Sequence, residues 1–393
     1  MKQEMISYIE QHKDDLLDLN KFLYDNPEKS YCEFNSYNYI CNLLEKYNFE
    51  INKNFLDLKT SFYAFKGNGH PKICFLCEYD AIPDEGHITG HNLLTTTSVA
   101  AALALSSIIE KVGGSVVIIG CPGEYLGGTK SVMVKQGVFD DIDIVLTAHP
   151  DVVTSESGSS SAIIPLSIKF LGNNGLSFLN KGTYTSLDGI LLTFNILNSL
   201  LKGFPKDVEV NSILSEGGFT PLLLPIESEA KFYIRAKEMD VARIVENKLR
   251  EIAIYVSKLI RVQNSISLYE PENEELITNR SLNRLFSHNL KETGIINIDG
   301  PRDIYSGLSL GIVSKNVPCI QPFFSIIQDE SIKYGTKDFA DATITDHAFK
   351  ESMKTALALA FTGYDIILKE NLLAEVKNEF YKKVWKYHIW VPS

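Results

Sequence analysis

Ile73-Cys74-Phe75-Leu76-Cys77-Glu78-Tyr79-Asp80-Ala81-Ile82-Pro83, followed after Asp84 and Glu85 by Gly86-His87-Ile88-Thr89-Gly90-His91-Asn92, decides how this chain is read. The apolar run Ile73–Cys77 between polar flanks predicts a buried strand. Asn92 to Val112 predicts a helix, with a small apolar centre at Val99–Leu105 that suits close packing on a sheet and a stop at Gly113-Gly114. The order then repeats. Val116–Gly120 reads as a buried strand leading into Cys121-Pro122-Gly123-Glu124-Tyr125, and Asp143–Ala148 reads as another leading into His149. Strands alternating with helices predict an α/β sheet covered on both faces. Asp80, Glu124 and His149 each follow a strand, and ligand sites of open α/β sheets lie at the carboxyl ends of strands.

Working outward, Ile6, Ile9, Leu16, Phe22 and Leu23 predict an opening amphipathic helix, and Tyr39, Ile40, Leu43, Leu44 and Tyr47 a second. Ser61–Phe65 adds a strand. The pattern changes after Ser155-Glu156-Ser157-Gly158-Ser159-Ser160, which reads as a small-residue linker. Ile163–Phe170 alternates like a half-exposed strand. A helix at Leu187–Leu201, strands at Val208–Leu214 and Glu227–Arg235, a helix at Val241–Leu259 and a strand at Ser265–Tyr269 predict a small α+β domain. Strand-like Leu308–Val313 and Cys319–Ile327 resume the first pattern, and helices at Asp346–Ala360 and Leu372–Val384 follow. The expectation is an α/β/α sandwich over 1–160 and 271–393, interrupted by an α+β insert over 161–270.

A chain of 393 residues is too long for one ordinary core. Its hydrophobic content of 45% fits a soluble globular protein. A net charge of −11 argues against a nucleic-acid surface, because phosphates need basic partners. No stretch is long and apolar enough to span a bilayer. Met1-Lys2-Gln3-Glu4 opens an acidic amphipathic segment with no apolar run after a basic start, which is unlike a secretory signal. Six cysteines in a chain this long do not make a disulfide framework. Cys74 and Cys77 lie three apart on a strand and so point to opposite faces. The expectation is a reduced, cytoplasmic protein.

The ordered motifs resemble the zinc or manganese amidohydrolase family of aminoacylases, auxin-conjugate hydrolases, aminobenzoyl-glutamate hydrolases and dipeptidases. Glu78 to Pro83 looks like the family's E-Y-D-A-L-P, and Gly86 to Asn92 like G-H-A-C-G-H-N. Pro122 to Gly128 looks like P-A-E-E followed by glycines, and Ala148-His149-Pro150 like A/M-H-P. Glu216-Gly217-Gly218 with Pro225 resembles the insert-domain G-G…N-I-I-P. Pro318 and Thr336-Lys337-Asp338-Phe339-Ala340 resemble V-P and H-T-x-x-F-A. The resemblance covers nearly the whole chain.

What it implies is uneven. The metal-bridging Cys of the family is here Thr89, and the His that follows is His91. The general base, first Glu of P-A-E-E, is Glu124, whereas the metal-binding second Glu is Tyr125. The A-H-P histidine is His149, and the H-T histidine is Gly335. The insert-domain His that meets the transition state aligns with Leu176, and the nearby Asn with Leu222. The resemblance therefore implies a degraded binuclear site. A hydroxyl such as Thr89 does not replace a bridging thiolate. His91 and His149 remain as anchors for at most a single zinc or manganese ion, and no cofactor is the leading expectation.

Each of these residues also has a plain structural reading. Glu124 is either a loop carboxylate or a base. His91 and His149 are either ligands or hydrogen-bonded polar remnants. Asp80 is either a strand-end cap or the group that orients His91, and His87 supports the loop. Tyr125 places a phenol where a cation would stand. Tyr305 reads as core, and His288 and His347 as surface. Thr89, Tyr125, Gly217, Gly218 and Gly335 are candidate substrate contacts. The leading expectation is a repurposed enzyme that binds an N-acyl amino acid or small peptide-like molecule. It would run metal-independent acid–base or acyl-transfer chemistry with Glu124. The alternatives are a mononuclear amidohydrolase on His91 and His149, and a non-catalytic chain that binds a ligand or a partner protein. The family resemblance also implies a homodimer formed through the insert, which would double as a lid.

Overall fold

A computed structural model describes residues 1–388, with side-chain surroundings through 384. The chain divides into two compact units. The first comprises Met1–Ser159, Leu276–Asp303 and Ile312–Ser393, and the second Ser160–Glu275 with Ile304–Gly311.

The first unit is built on a six-stranded sheet. Its members are β1 (Glu50–Lys53), β2 (Phe62–Asn68), β3 (Lys72–Cys77), β4 (Gly114–Gly120) and β5 (Ile144–Leu146), joined late by Cys319–Ile320. The order is β1-β2-β4-β3-β5-(Cys319–Ile320). β3 runs parallel to both β4 and β5, and β1 and β2 form an antiparallel edge. Every residue of β4, and all but the first of β3, is buried. Near-continuous apolar runs are what a parallel strand covered on both faces requires. A second, small sheet joins His149–Asp151, Ser155–Ser160, Asp299–Ile304 and Phe323–Ser325.

The helix after the glycine turn, His91–Ser106, is buried along its whole length. Its Ala100-Ala101-Ala102 centre lets it lie against β3 and β4 and against the long helix Asp346–Leu368. That second helix contributes small residues in turn. A Cβ at Gly363 would stand 2.8 Å from the Leu105 side chain, so glycine permits this approach. A buried Thr97–Ser352 hydroxyl contact of 2.8 Å ties the pair together. At the helix start, the Asn92 amide donates to Asn20 and Thr343 at 3.0 and 2.9 Å, fixing the first turn to two other segments.

The second unit has a four-stranded antiparallel sheet. Its strands are Gln263–Leu268, Ala162–Leu171, Glu227–Ala236 and Glu209–Glu216, in that spatial order. The helices Ser186–Leu200 and Met239–Ile260 pack on it. The longer helix buries Ala242, Val245, Leu249, Ile252 and Val256, spaced three or four apart as one face demands. The edge strand Glu209–Glu216 is exposed along nearly all its length.

Several readings change. The helix expected over Asn92–Val112 is two, because Ser107 and Ile108 interrupt it before Ile109–Val112. The stretch Ser155–Ser160 is a strand rather than a linker, and Ser157 is its anchor. Its hydroxyl accepts from Gln321 N–H at 3.0 Å, and its N–H donates to Asn283 at 3.1 Å. Ile163–Phe170 is almost wholly buried rather than half exposed, because it is central in its sheet. Leu308–Val313 is not a strand: Leu310–Ser314 is helical. Gly311 lies so close to the Glu274 carbonyl that a Cβ would stand 1.7 Å from it, so packing overrides the β-branched propensity of Ile312 and Val313. Cys319–Ile327 becomes two short strands in different sheets, broken at Gln321-Pro322. Tyr305 is 87% exposed and not core.

Candidate active site

The carboxyl ends of β3, β4 and β5 gather Glu78, Asp80, Glu124 and His149 in the first unit, and the helix after β3 begins with His91. Gly90, with φ +84°, makes the turn that starts this helix. A Cβ there would stand 2.6 Å from the Pro150 ring, so only glycine lets the turn close on the strand that carries His149. The His91 and His149 rings end up 6.0 Å apart, edge to face.

Asp80 organises this corner. It is fully buried, and one carboxylate oxygen receives His91 Nδ1 at 2.9 Å. The other accepts from the Ser30 hydroxyl at 2.7 Å and from the Tyr125 N–H at 3.0 Å. Burial pushes the Asp80 carboxyl upward, but the His91 bond and charge outweigh it and leave it below its usual value. Burial likewise pushes His91 down, and Asp80, Glu78 and Glu124 together hold it above the ordinary imidazole value. His149 is buried and held below that value, first by desolvation and then by the positive charge of His91. Its Nδ1 faces the Pro150 carbonyl at 2.9 Å. His87, pushed down to about 4 by burial, contacts the Leu23 carbonyl through Nε2 at 3.0 Å. It thus fastens the loop to the helix Lys13–Asp25.

Glu124 sits on the glycine-flanked loop after β4. Its side chain is 8% exposed and lies against Gly128, where a Cβ would meet the carboxylate at 2.7 Å. Lys130 is the unforeseen member of the site. Its side chain is fully buried, and its Nζ lies 2.8 Å from Glu124 Oε1 and 2.7 Å from Glu78 Oε1. Burial opposes the ammonium, but Glu124 and Glu78 overcome it and hold Lys130 above its ordinary value. Glu78 is in turn held below its own by Lys130 and His91 against the upward push of burial. Its second oxygen faces His91 Nε2 at 3.6 Å. A continuous ionic chain therefore runs Asp80–His91–Glu78–Lys130–Glu124. Glu33 was also unforeseen. It is fully buried and accepts from the Gly123 and Tyr31 N–H groups at 2.8 Å each, and from Thr60 at 2.9 Å. It anchors the loop that carries Glu124.

Thr89 and Tyr125 come together: their hydroxyls are hydrogen-bonded, and the Tyr125 ring stacks on His91 with centroids 4.6 Å apart at 18°. Gly335 is exposed, with nothing within 4 Å of where its Cβ would be. Its neighbour Tyr334 lies beside His149, with ring centroids 6.1 Å apart. Gly217 and Gly218 belong to the second unit, just beyond the edge strand, where the Gly218 N–H bonds Glu216 at 3.1 Å. In that unit Leu176 bridges Leu223, and the Ser177 N–H donates to the Leu222 carbonyl at 2.9 Å. The two positions aligned with the insert-domain His and Asn are thus neighbours, and both are leucines.

The donor set does not fit the metal pair that the family resemblance implies. Each ion needs three or four N, O or S donors. Among the described residues no group of three or more His, Cys, Asp or Glu side chains is arranged to hold a metal ion. The carboxylate nearest His91 Nε2, Glu78, is ion-paired with Lys130.

The chain is 30% identical to mouse Xaa-Arg dipeptidase over 322 residues, covering 79% of this chain and 73% of the relative. It is 31% identical to one of the polypeptides of the p-aminobenzoyl-glutamate hydrolase of Escherichia coli (strain K12) over 268 residues, 62% of this chain and 56% of that protein. Similar solved structures include an aminobenzoyl-glutamate utilization protein from Klebsiella pneumoniae. It has a TM-score of 0.71 at 11% identity, over 91% of this chain and 98% of that one. A dinuclear metal-binding peptidase of the M20 family from Bacillus subtilis gives 0.62 at 16% identity, over 88% and 98%. No family model matches the chain.

Proposed function

The chain belongs to the M20 family of dipeptidases and amidohydrolases that includes Xaa-Arg dipeptidase and p-aminobenzoyl-glutamate hydrolase, and from that premise we propose that it binds an N-acyl amino acid or small peptide-like molecule and acts on the amide bond with Glu124 as the proton-carrying group. The observation that supports this most directly is the Glu124 carboxylate itself. It is buried at a strand end, held from one side by Lys130 and backed by Gly128. An adjacent ammonium favours the ionised form, which is the form that accepts a proton.

In this reading Glu124 takes a proton from the attacking nucleophile, either water or an amine acceptor. The nucleophile adds to the carbonyl carbon, and His91, kept protonated by Asp80, donates from Nε2 toward the developing oxyanion. Collapse breaks the carbon–nitrogen bond, and the proton carried by Glu124 passes to the leaving amine. With water the products are a carboxylic acid and an amine; with an amine acceptor the product is a new amide. Thr89 and Tyr125 line the same corner and contact the substrate, with Gly335 leaving room beside them. The inserted unit homodimerises through its exposed edge strand.

The test is a panel of dipeptides and N-acyl amino acids, with and without an amine acceptor, read by mass spectrometry. A general base contributes roughly 10²–10⁴-fold, so Glu124→Gln should lose about that much turnover on any substrate found. Full turnover by Glu124→Gln sinks the reading, and a chain that binds members of the panel without converting them is a ligand-binding protein.

A further inference from the structure

A buried lysine is costly unless it is paired. Lys130 is fully buried at the start of the short helix Lys130–Lys135, and it bridges two carboxylates from different strand ends, Glu78 at 2.7 Å and Glu124 at 2.8 Å. Without the ammonium, two anionic side chains would face one another in a dry site. Elsewhere such carboxylates are commonly balanced by a bound cation. Here the balancing charge is covalently part of the chain.

A second observation is independent of charge. The Tyr125 phenol reaches the Thr89 hydroxyl, and its ring covers one face of His91. One face of the imidazole whose Nε2 looks toward Glu78 is therefore covered by protein atoms. Neither a phenol at neutral pH nor a threonine hydroxyl is a strong ligand for a divalent ion.

We propose that this site is built to work without a divalent ion. The Lys130 ammonium is the fixed cation between Glu78 and Glu124, and the Thr89–Tyr125 pair covers one face of His91 with neutral hydroxyl-bearing side chains. Lys130 is thus a positioning residue, acting through Glu124. The inference deepens the amide-chemistry reading, and rests on it only for what Glu124 does. Its test needs no substrate.

The full chain would be produced with zinc and manganese supplied, and its metal content measured by plasma mass spectrometry after gel filtration. Melting would be followed with and without a chelator. The wild type should carry far less than one ion per chain, and its melting should ignore the chelator. Lys130→Met removes the charge and keeps most of the volume. It should melt lower than wild type, take up an ion with the freed carboxylates, and regain stability when zinc or manganese is added. Lys130→Arg should behave like the wild type. In the Lys130→Met background, Glu124→Gln should recover part of the lost stability, because it removes the charge left unpaired. A wild type that retains one or more ions per chain and melts lower with chelator overturns the proposal. So does a Lys130→Met protein that matches the wild type in melting and metal content. Should Lys130→Met fail to fold, the wild-type ion content and Lys130→Arg decide. Failure of the substrate panel would leave these readouts unaffected, so the two readings fail separately.

Discussion

Replacing Asp80 with asparagine tests the electrostatic core of the site. The carboxylate is fully buried and holds three groups: His91 Nδ1 at 2.9 Å, the Ser30 hydroxyl at 2.7 Å and the Tyr125 N–H at 3.0 Å. Asparagine has the same shape but only one accepting oxygen. If that oxygen stays on His91, the amide nitrogen turns two hydrogens toward the Ser30 and Tyr125 donors. If it flips, His91 loses its partner. Removing one member of a buried pair costs about 3–5 kcal/mol, and this substitution should fall in that range. The cost should depend on pH. Asp80 is held below its usual value, so its contribution is present above roughly pH 4 and is lost as pH falls through the lowered value. His91 is held above its usual value, so its contribution is full below about pH 6.5 and is lost as pH rises through the raised value. The gap between wild type and variant should therefore be widest at about pH 5–6 and narrow toward about pH 9. Urea unfolding followed by circular dichroism at both pH values measures it. A gap below about 1 kcal/mol would refute the argument, since a cost that small belongs to an ordinary hydrogen bond. An equal gap at both pH values would show that Asp80 acts through the Tyr125 loop and not through His91.

Other expectations follow from single contacts. Gly128→Ala puts a Cβ 2.7 Å from the Glu124 carboxylate at a φ of +71°. It should cost roughly 1 kcal/mol in backbone strain but lower turnover disproportionately, and full activity at reduced melting temperature would refute the positioning role of that glycine. Glu379 is pulled down to about 2 despite burial, by Lys383 and by the N–H groups of Arg280 and Ser281 at the start of helix Arg280–Glu292. Its contribution is present above the ordinary Glu value and is lost as pH falls toward 2. Glu379→Gln should accordingly cost about 1–2 kcal/mol near neutrality, with the gap closing in acid; a gap that persists at about pH 2 would count against it. The exposed edge strand Glu209–Glu216 should pair with its copy. A monomer at micromolar concentration in light scattering would count against a homodimer, and a charge placed at Ile213 should split one that forms.

How far the sequence could be read depended on the range of the interactions involved. The buried parallel strands were visible because apolar runs such as Ile73–Cys77 have few other uses. The insert's βαββα order was visible from period alone, because Met239–Ile260 repeats its buried face every three or four residues. The strand expected at Leu308–Val313 is instead helical over Leu310–Ser314, because a non-local carbonyl, that of Glu274, decides what Gly311 can do. The histidines, Asp80 and Glu124 stood out because they sit in ordered motifs that follow strands. Lys130 did not. A lysine opening a helix after Gly127-Gly128-Thr129 reads as a solvated charge, and nothing local says otherwise. The signal that was available is arithmetic: Asp80 and Glu124 each follow a strand, Glu78 opens the same motif as Asp80, and three carboxylates in one dry corner require compensating cations. His91 supplies one when protonated. A search for a second among residues that return to the same strand ends would have reached Lys130, six positions after Glu124. Motif matching asks which expected ligands are missing; asking what balances the charge that remains finds the residue that takes their place.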